Sequence, residues 1–233
     1  MDWFAAVDIY CERLAPGYWA EPVNALSNLA FPVAALWAWL TARRTGTDAA
    51  GWLLIVLGGL IGVGSYLFHT HAVTWAELAD TVPIWGFVGA YVLAVVLRMH
   101  GRPVPVWLAL AVAAAAGLGI GWQGLTVPDA AADPAPDPFN GSLAYAPAVI
   151  AQAVFVVVLY LQRHPHRGWV LAALLTFLAS LAFRTIDLRA CAALPLGTHF
   201  LWHLLNGLMV GLLLQFYLRL PAPGRPAAAP AAG

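Results

Sequence analysis

Apolar residues in this chain come in runs of about twenty, separated by short polar clusters. Seven such runs stand out, at 24–42, 51–69, 81–98, 104–122, 143–162, 169–186 and 197–218. Each is close to the ~20 residues that an α-helix needs to cross a bilayer. One break is longer, an acidic Pro/Ala-rich loop at 126–141 with Asp129, Asp133 and Asp137. The pattern predicts an all-α fold, a polytopic bundle of seven transmembrane helices occupying 24–219. A polar, acidic segment at 1–23 precedes it, and a Pro/Ala-rich tail at 220–233, expected to be disordered, follows it. No internal repeat is evident. Gly58 and Gly62, and Gly207 and Gly211, have the small-xxx-small spacing that permits close helix approach. Glycine is also common in membrane helices without that role.

Composition agrees with this class. Of 233 residues, 62% are hydrophobic and 9% charged, whereas a soluble domain carries about a quarter charged residues. No signal peptide is expected, because residues 1–20 contain Asp2, Asp8, Glu12 and Arg13 and no apolar core of the right length. Net charge is zero, which argues against nucleic acid as a partner. All eleven basic residues are arginine, so chemistry that needs a Schiff-base lysine is excluded.

Charge sorts by side. If the seven runs alternate in direction, Arg43, Arg44, Arg98, Arg102, Arg163, Arg167, Arg219 and Arg225 share one side, and Arg13, Arg184 and Arg189 the other. Asp48 lies with the larger group, and the other ten acids lie opposite or at those helix ends. The positive-inside rule then places the N-terminus outside and the C-terminus in the cytoplasm. On this topology His69, Asp80, Asp187, His199 and His203 meet at one outer depth. Polar groups at such a depth are costly and tend to mark function.

His199 and His203 are one turn apart on one helical face, a spacing that suits two imidazoles on one metal. Interhelical hydrogen bonding is the alternative use of such a pair. With His69 as a third imidazole the set describes a catalytic zinc site with an open position. Zinc so held makes hydroxide available near neutral pH, and Asp80 is placed to act as general base. Ser65 lies one turn before His69 and can donate a hydrogen bond to the water or to an oxyanion. Each has a plainer reading: Asp80 as a helix N-cap before Thr81 and Pro83, and Ser65 as a serine bonded back to its own helix. His71 falls past the helix end and reads as interfacial. Asn206, three residues after His203, is a candidate outer partner or an ordinary interhelical bond. Cys11 and Cys191 both map outside, where a disulfide and two free thiols are both open. Asp8, Glu12 and Glu21 offer oxygens that suit calcium, and a solvated acidic face is the other reading.

Together these residues resemble a family. Gly64-Ser65-x-x-Phe68-His69 with Asp80, then Asp187-x-x-x-Cys191, then His199-x-x-x-His203, is similar to the alkaline ceramidases. That family belongs to a superfamily of seven-helix hydrolases that includes the adiponectin and progestin receptors. The segments Asp8-Ile9-Tyr10-Cys11-Glu12 and Ala20-Glu21-Pro22-Val23-Asn24-x-x-Ser27-Asn28 extend the likeness toward the N-terminus. The resemblance implies zinc on His69, His199 and His203, with Ser65 and Asp80 as catalytic companions. It also implies calcium on Asp8, Glu12 and Glu21, a Cys11–Cys191 disulfide, and hydrolysis of the ceramide amide. Three departures are visible: two residues separate Asp8 from Cys11 where the family has one, Thr81-Val82-Pro83 follows Asp80 where the family usually has Glu-Leu-Pro or similar, and Arg184 stands where the family tends to have Trp.

The expected activity is therefore a zinc-dependent intramembrane amidase. Its partners would be a ceramide-like lipid and the bilayer; no obligatory protein partner is evident. A lipid receptor with a structural zinc site is the alternative, but the cytoplasmic loops are short and the tail featureless. A transporter would carry polar groups on to the cytoplasmic side, and the inner helix halves are apolar. Arginine usage, Ala-rich helices and the Pro/Ala tail suggest a bacterial inner-membrane protein with its site toward the periplasm.

Overall fold

The computed structural model describes residues 2–126 and 137–221. Asp129, Asp133, Arg225 and nearly all of the tail lie outside these. Eight α-helices are present among the described residues: α1 Pro22–Ser27, α2 Ala30–Thr45, α3 Ala49–His71, α4 Thr74–Met99, α5 Val106–Thr126, α6 Ala146–Leu161, α7 Arg167–Ala190 and α8 His199–Leu218. A 3-10 turn, Ser142–Tyr145, leads into α6, and there is no strand among the described residues, only a single bridge between Ala6 and Val73. Six helical segments are long and apolar enough to cross a membrane, α1 and α2 counting as one, and α5 is a shorter apolar helix over Val106–Gly121. This is the architecture of an integral, multi-pass membrane protein.

The predicted first run is therefore two helices. Pro22 opens α1 with a preset φ, and the chain is re-aimed at Asn28 and Leu29 before α2. Asp48 caps α3 by accepting from the Gly51 amide at 3.0 Å. The larger difference is in α4, which begins at Thr74 rather than 81. Asp80 is thus inside the helix and is not its N-cap, a position held by Val73. Glu77, Asp80 and Pro83 look like a boundary in sequence. They fit inside a helix because the two acids face a cavity rather than lipid.

Helix packing forms an arc, with α5 against α4, α4 against α3, α3 against α2, α2 against α8, α8 against α7 and α7 against α6. α8 is the most enclosed element, touching α1, α2, α3 and α7 and burying residues along its whole length. Large apolar side chains such as Leu36, Val56, Leu110 and Leu175 point outward, as lipid-facing positions must. Glycine sets two of the contacts. A side chain at Gly207 would strike Ala30 of α2, and one at Gly64 would strike the Ala79 carbonyl of α4. Pro83 has no N–H to donate to that carbonyl, so the Ala79 oxygen turns toward α3 where Gly64 makes room.

Opposite the arc, between α4 and α6, lies a cavity of about 450 Å³. Its wall runs from Ser65, Asp80 and His199 at one end to Met99, His100 and Gln162 at the other. Between these ends the lining is mainly apolar, with Gln152 and Asn206 as polar members of the wall. At the far end Arg98 pairs with Asp48, and donates to the Pro221 carbonyl at 2.7 Å, so the end of α8 is tied to α3 and α4.

Candidate active site

Two helices bring the three histidines together. His69 is in the last turn of α3, and His199 and His203 are in the first two turns of α8. All three are buried, and their ligating nitrogens lie within 4.8 Å of one another. This is the one group of three or more His, Cys, Asp or Glu side chains so arranged among the described residues. His69 Nε2 and His203 Nε2 are 3.1 Å apart. Two nitrogens held at 2.0–2.1 Å on one tetrahedral ion lie about 3.3 Å from each other, so the spacing is that of two ligands sharing a metal. His199 Nδ1 is buried with no hydrogen-bond partner. A buried imidazole with a ring nitrogen left unpartnered, in a cluster of three, is compatible with a metal ligand.

The outer nitrogens are held. Glu21 Oε2 meets His69 Nδ1 at 2.6 Å, and the Ser27 hydroxyl meets His203 Nδ1 at 2.8 Å. Such contacts fix the tautomer and ring orientation so that Nε2 points inward. The backbone N–H groups of Thr198 and His199, at the open start of α8, both donate to Asp187 Oδ1, at 2.6 and 2.9 Å. That carboxylate, fully buried on α7, anchors the end of α8 that carries the histidines. Asn206 is not the outer partner of His203. Its amide is in the cavity wall, with Nδ2 unpartnered. His71 is exposed on the last turn of α3 and is not in the cluster.

Asp80 and Ser65 share the cavity wall with His199 and His203. The Ser65 hydroxyl lies against the Asp80 carboxylate, whose Oδ1 is buried without a hydrogen-bond partner. The close approach of α3 and α4 at Gly64 is what places these two side by side. The N-cap reading of Asp80 is thereby overturned, and Ser65 lies with it in the wall of the histidine pocket.

The N-terminal segment closes the site from above. Val7 donates to the Ala72 carbonyl at 2.8 Å, and Thr74 to the Ala5 carbonyl at 3.1 Å, which pins the segment to the turn between α3 and α4. A disulfide joins Cys11 to Cys191, just beyond α7. Between these ties Tyr10 stacks on His199, ring centres 3.7 Å apart. Burial pushes the Tyr10 hydroxyl up, so it stays protonated. Arg184 donates to it at 3.2 Å while lying over the Tyr145 and Trp202 rings. Tyr10, Ser27 and Arg184 belong to the site, although the hydropathy pattern marks none of them. The family segments around Cys11 and Asn24 hint at the first two, and the departure from the family pattern marks Arg184.

Of the proposed calcium residues, Glu12 and Glu21 are buried and Asp8 is exposed. Glu12 accepts from the Val23 and Asn24 amides at 2.7 and 2.8 Å. Burial pushes the Glu21 carboxyl up, but hydrogen bonds from His69, Arg13 and Asn24 outweigh it and hold the group below its ordinary value.

A family model described as Ceramidase matches residues 9–225. The chain belongs to the ceramidase family. No curated protein matches it. The match spans the N-terminal segment from Ile9 on, all eight described helices and every residue of the histidine pocket, and leaves Asp8 just outside. Membership implies a hydrolase that cleaves the amide of ceramide, and the cluster at the cavity end is compatible with a metal in that role.

Proposed function

We propose that this ceramidase-family protein is a zinc-dependent intramembrane amidase. It would hydrolyse the N-acyl bond of ceramide or a related amide lipid to a long-chain amine and a fatty acid. The observation that carries this reading is the position of the three buried histidines. They stand at the polar end of a long apolar cavity, next to Asp80 and Ser65. An acyl chain fits along α4 and α6 while its amide reaches the histidines.

His69, His199 and His203 would hold the ion, which when bound lowers the pKa of a water and polarises a carbonyl. Asp80 takes a proton from the attacking water and delivers it to the nitrogen of the departing amine. Ser65 steadies the Asp80 carboxylate and can donate to the amide carbonyl oxygen as charge gathers there. Tyr10 and the disulfide-tied segment cover the histidines and limit access by bulk water. Arg184, on the mouth side, shapes which headgroups enter.

The orientation follows the charge sorting: seven membrane helices with α5 as one, N-terminus outside and C-terminus cytoplasmic. The site then faces the outer leaflet, on the periplasmic side in a bacterial inner membrane. Metal analysis tests the core of the proposal. Purified protein should carry about one zinc per chain, and His199→Ala should lose it while keeping its helical content. A metal-free wild-type preparation, still folded and still unable to take up zinc, would remove the zinc reading.

A further inference from the structure

The family resemblance implies calcium at Asp8, Glu12 and Glu21, and the residues present do not fit it. Calcium takes six to eight oxygen ligands at about 2.3–2.6 Å. Glu12 and Glu21 offer four carboxylate oxygens, and an N–H donor stands at every one. Glu12 has the Val23 and Asn24 amides, one on each oxygen. Glu21 Oε1 accepts from Arg13 Nε at 2.7 Å, and Oε2 is engaged by His69 Nδ1 at 2.6 Å and by Asn24 Nδ2 at 3.1 Å. Asp8 is exposed and forms no metal-like group with the other two.

A cation is present all the same. The Arg13 side chain is 6% exposed, and its fork grips three oxygens. Beyond Glu21, Nη2 donates to the His69 carbonyl at 3.0 Å and Nη1 to the Gly17 carbonyl at 3.4 Å. One carboxylate and two carbonyls are the kind of oxygens a calcium ion collects. Here they are collected by a guanidinium. Arg13 also holds His69 at both ends, by its own carbonyl and, through Glu21, by its ring.

We propose that Arg13 is a built-in cation standing where the resemblance implies calcium, and that through Glu21 it orients His69, so that the metal site of this chain is set without calcium. Arg13 touches neither metal nor substrate, and is a positioning residue. The orienting part rests on the reading of His69 as a zinc ligand, whereas the calcium part does not.

The test uses the full-length protein in detergent. Equilibrium dialysis against radioactive calcium, up to about 10 mM, covers the weakest biological calcium sites, which bind near 10⁻³ M. No bound calcium and an unchanged thermal midpoint are expected. Stoichiometric binding with a rising midpoint would overturn the proposal. In the second arm, zinc release to a chromogenic chelator is followed for wild type, Arg13→Met and Arg13→Lys. The Met variant should release zinc about 10–100-fold faster, the usual cost of losing an outer-shell contact. Lys, which keeps the charge without the fork, should recover part of the difference. Equal release from wild type and Met, or a Lys variant no slower than Met, contradicts the positioning role. If Arg13→Met does not fold, the calcium arm decides on wild type alone. Wild type without zinc would defeat the metal reading and leave the calcium result standing.

Discussion

Asp80 and Ser65 share one cavity wall, and substitution separates their roles. Asp80→Asn keeps the volume and removes the base, so the rate of fatty-acid release should fall about 10²–10⁴-fold with zinc content unchanged. Single-turnover measurement with metal analysis on the same sample checks both. Loss of zinc together with activity would make Asp80 a structural support instead. The histidines were legible in the sequence because each constraint on them is regular: one turn between His199 and His203, and a helix count that sets the depth of His69. Their supports were not. The contacts from Ser27 to His203 and from Glu21 to His69 cross 176 and 48 residues, and no periodic pattern encodes them. Arg13 read as one more charge in an acidic segment, because its partners are assembled only when that segment folds over the helix ends.

At the scale of elements, the contact of α3 with α4 sets the geometry of the pair. Gly64 packs on the Ala79 carbonyl, the one that Pro83 leaves without its helical donor. A methyl group there cannot be absorbed by a flexible side chain, because the obstacle is backbone. Gly64→Ala should therefore push α4 outward, cost about 1–3 kcal/mol as overpacking does, and misplace Asp80. The expected result is a lower thermal midpoint and strongly reduced activity, with zinc retained on α3 and α8. A variant as active as wild type would show that this approach does not position Asp80. Hydropathy found the helices but misplaced the start of α4 by seven residues, from 81 to Thr74. Acids and a proline mark helix ends when the surroundings are water or lipid. Here the surroundings are a polar pocket inside the bundle.

For the molecule as a whole, the polar chemistry is gathered at one end and the apolar cavity runs toward the other. Charge sorting assigns the histidine end to the outside. A C-terminal alkaline phosphatase fusion expressed in bacteria should then be inactive and a C-terminal fluorescent protein bright; the reverse would invert the orientation. The disulfide is part of the same design, since it holds Tyr10 and the N-terminal segment over the site from 180 residues away. Its pairing was implied by the family segments rather than by any regularity of the chain. The central claim joins the histidine cluster to amide cleavage, and one measurement addresses it directly. Purified protein, stripped of metal and then reloaded with zinc, is incubated with a panel of labelled N-acyl lipids including ceramide. The account predicts release of fatty acid and long-chain amine by the native protein, loss of release on stripping, and recovery with zinc. Zinc-loaded, folded protein that cleaves no member of the panel, or cleavage that survives stripping, would contradict it.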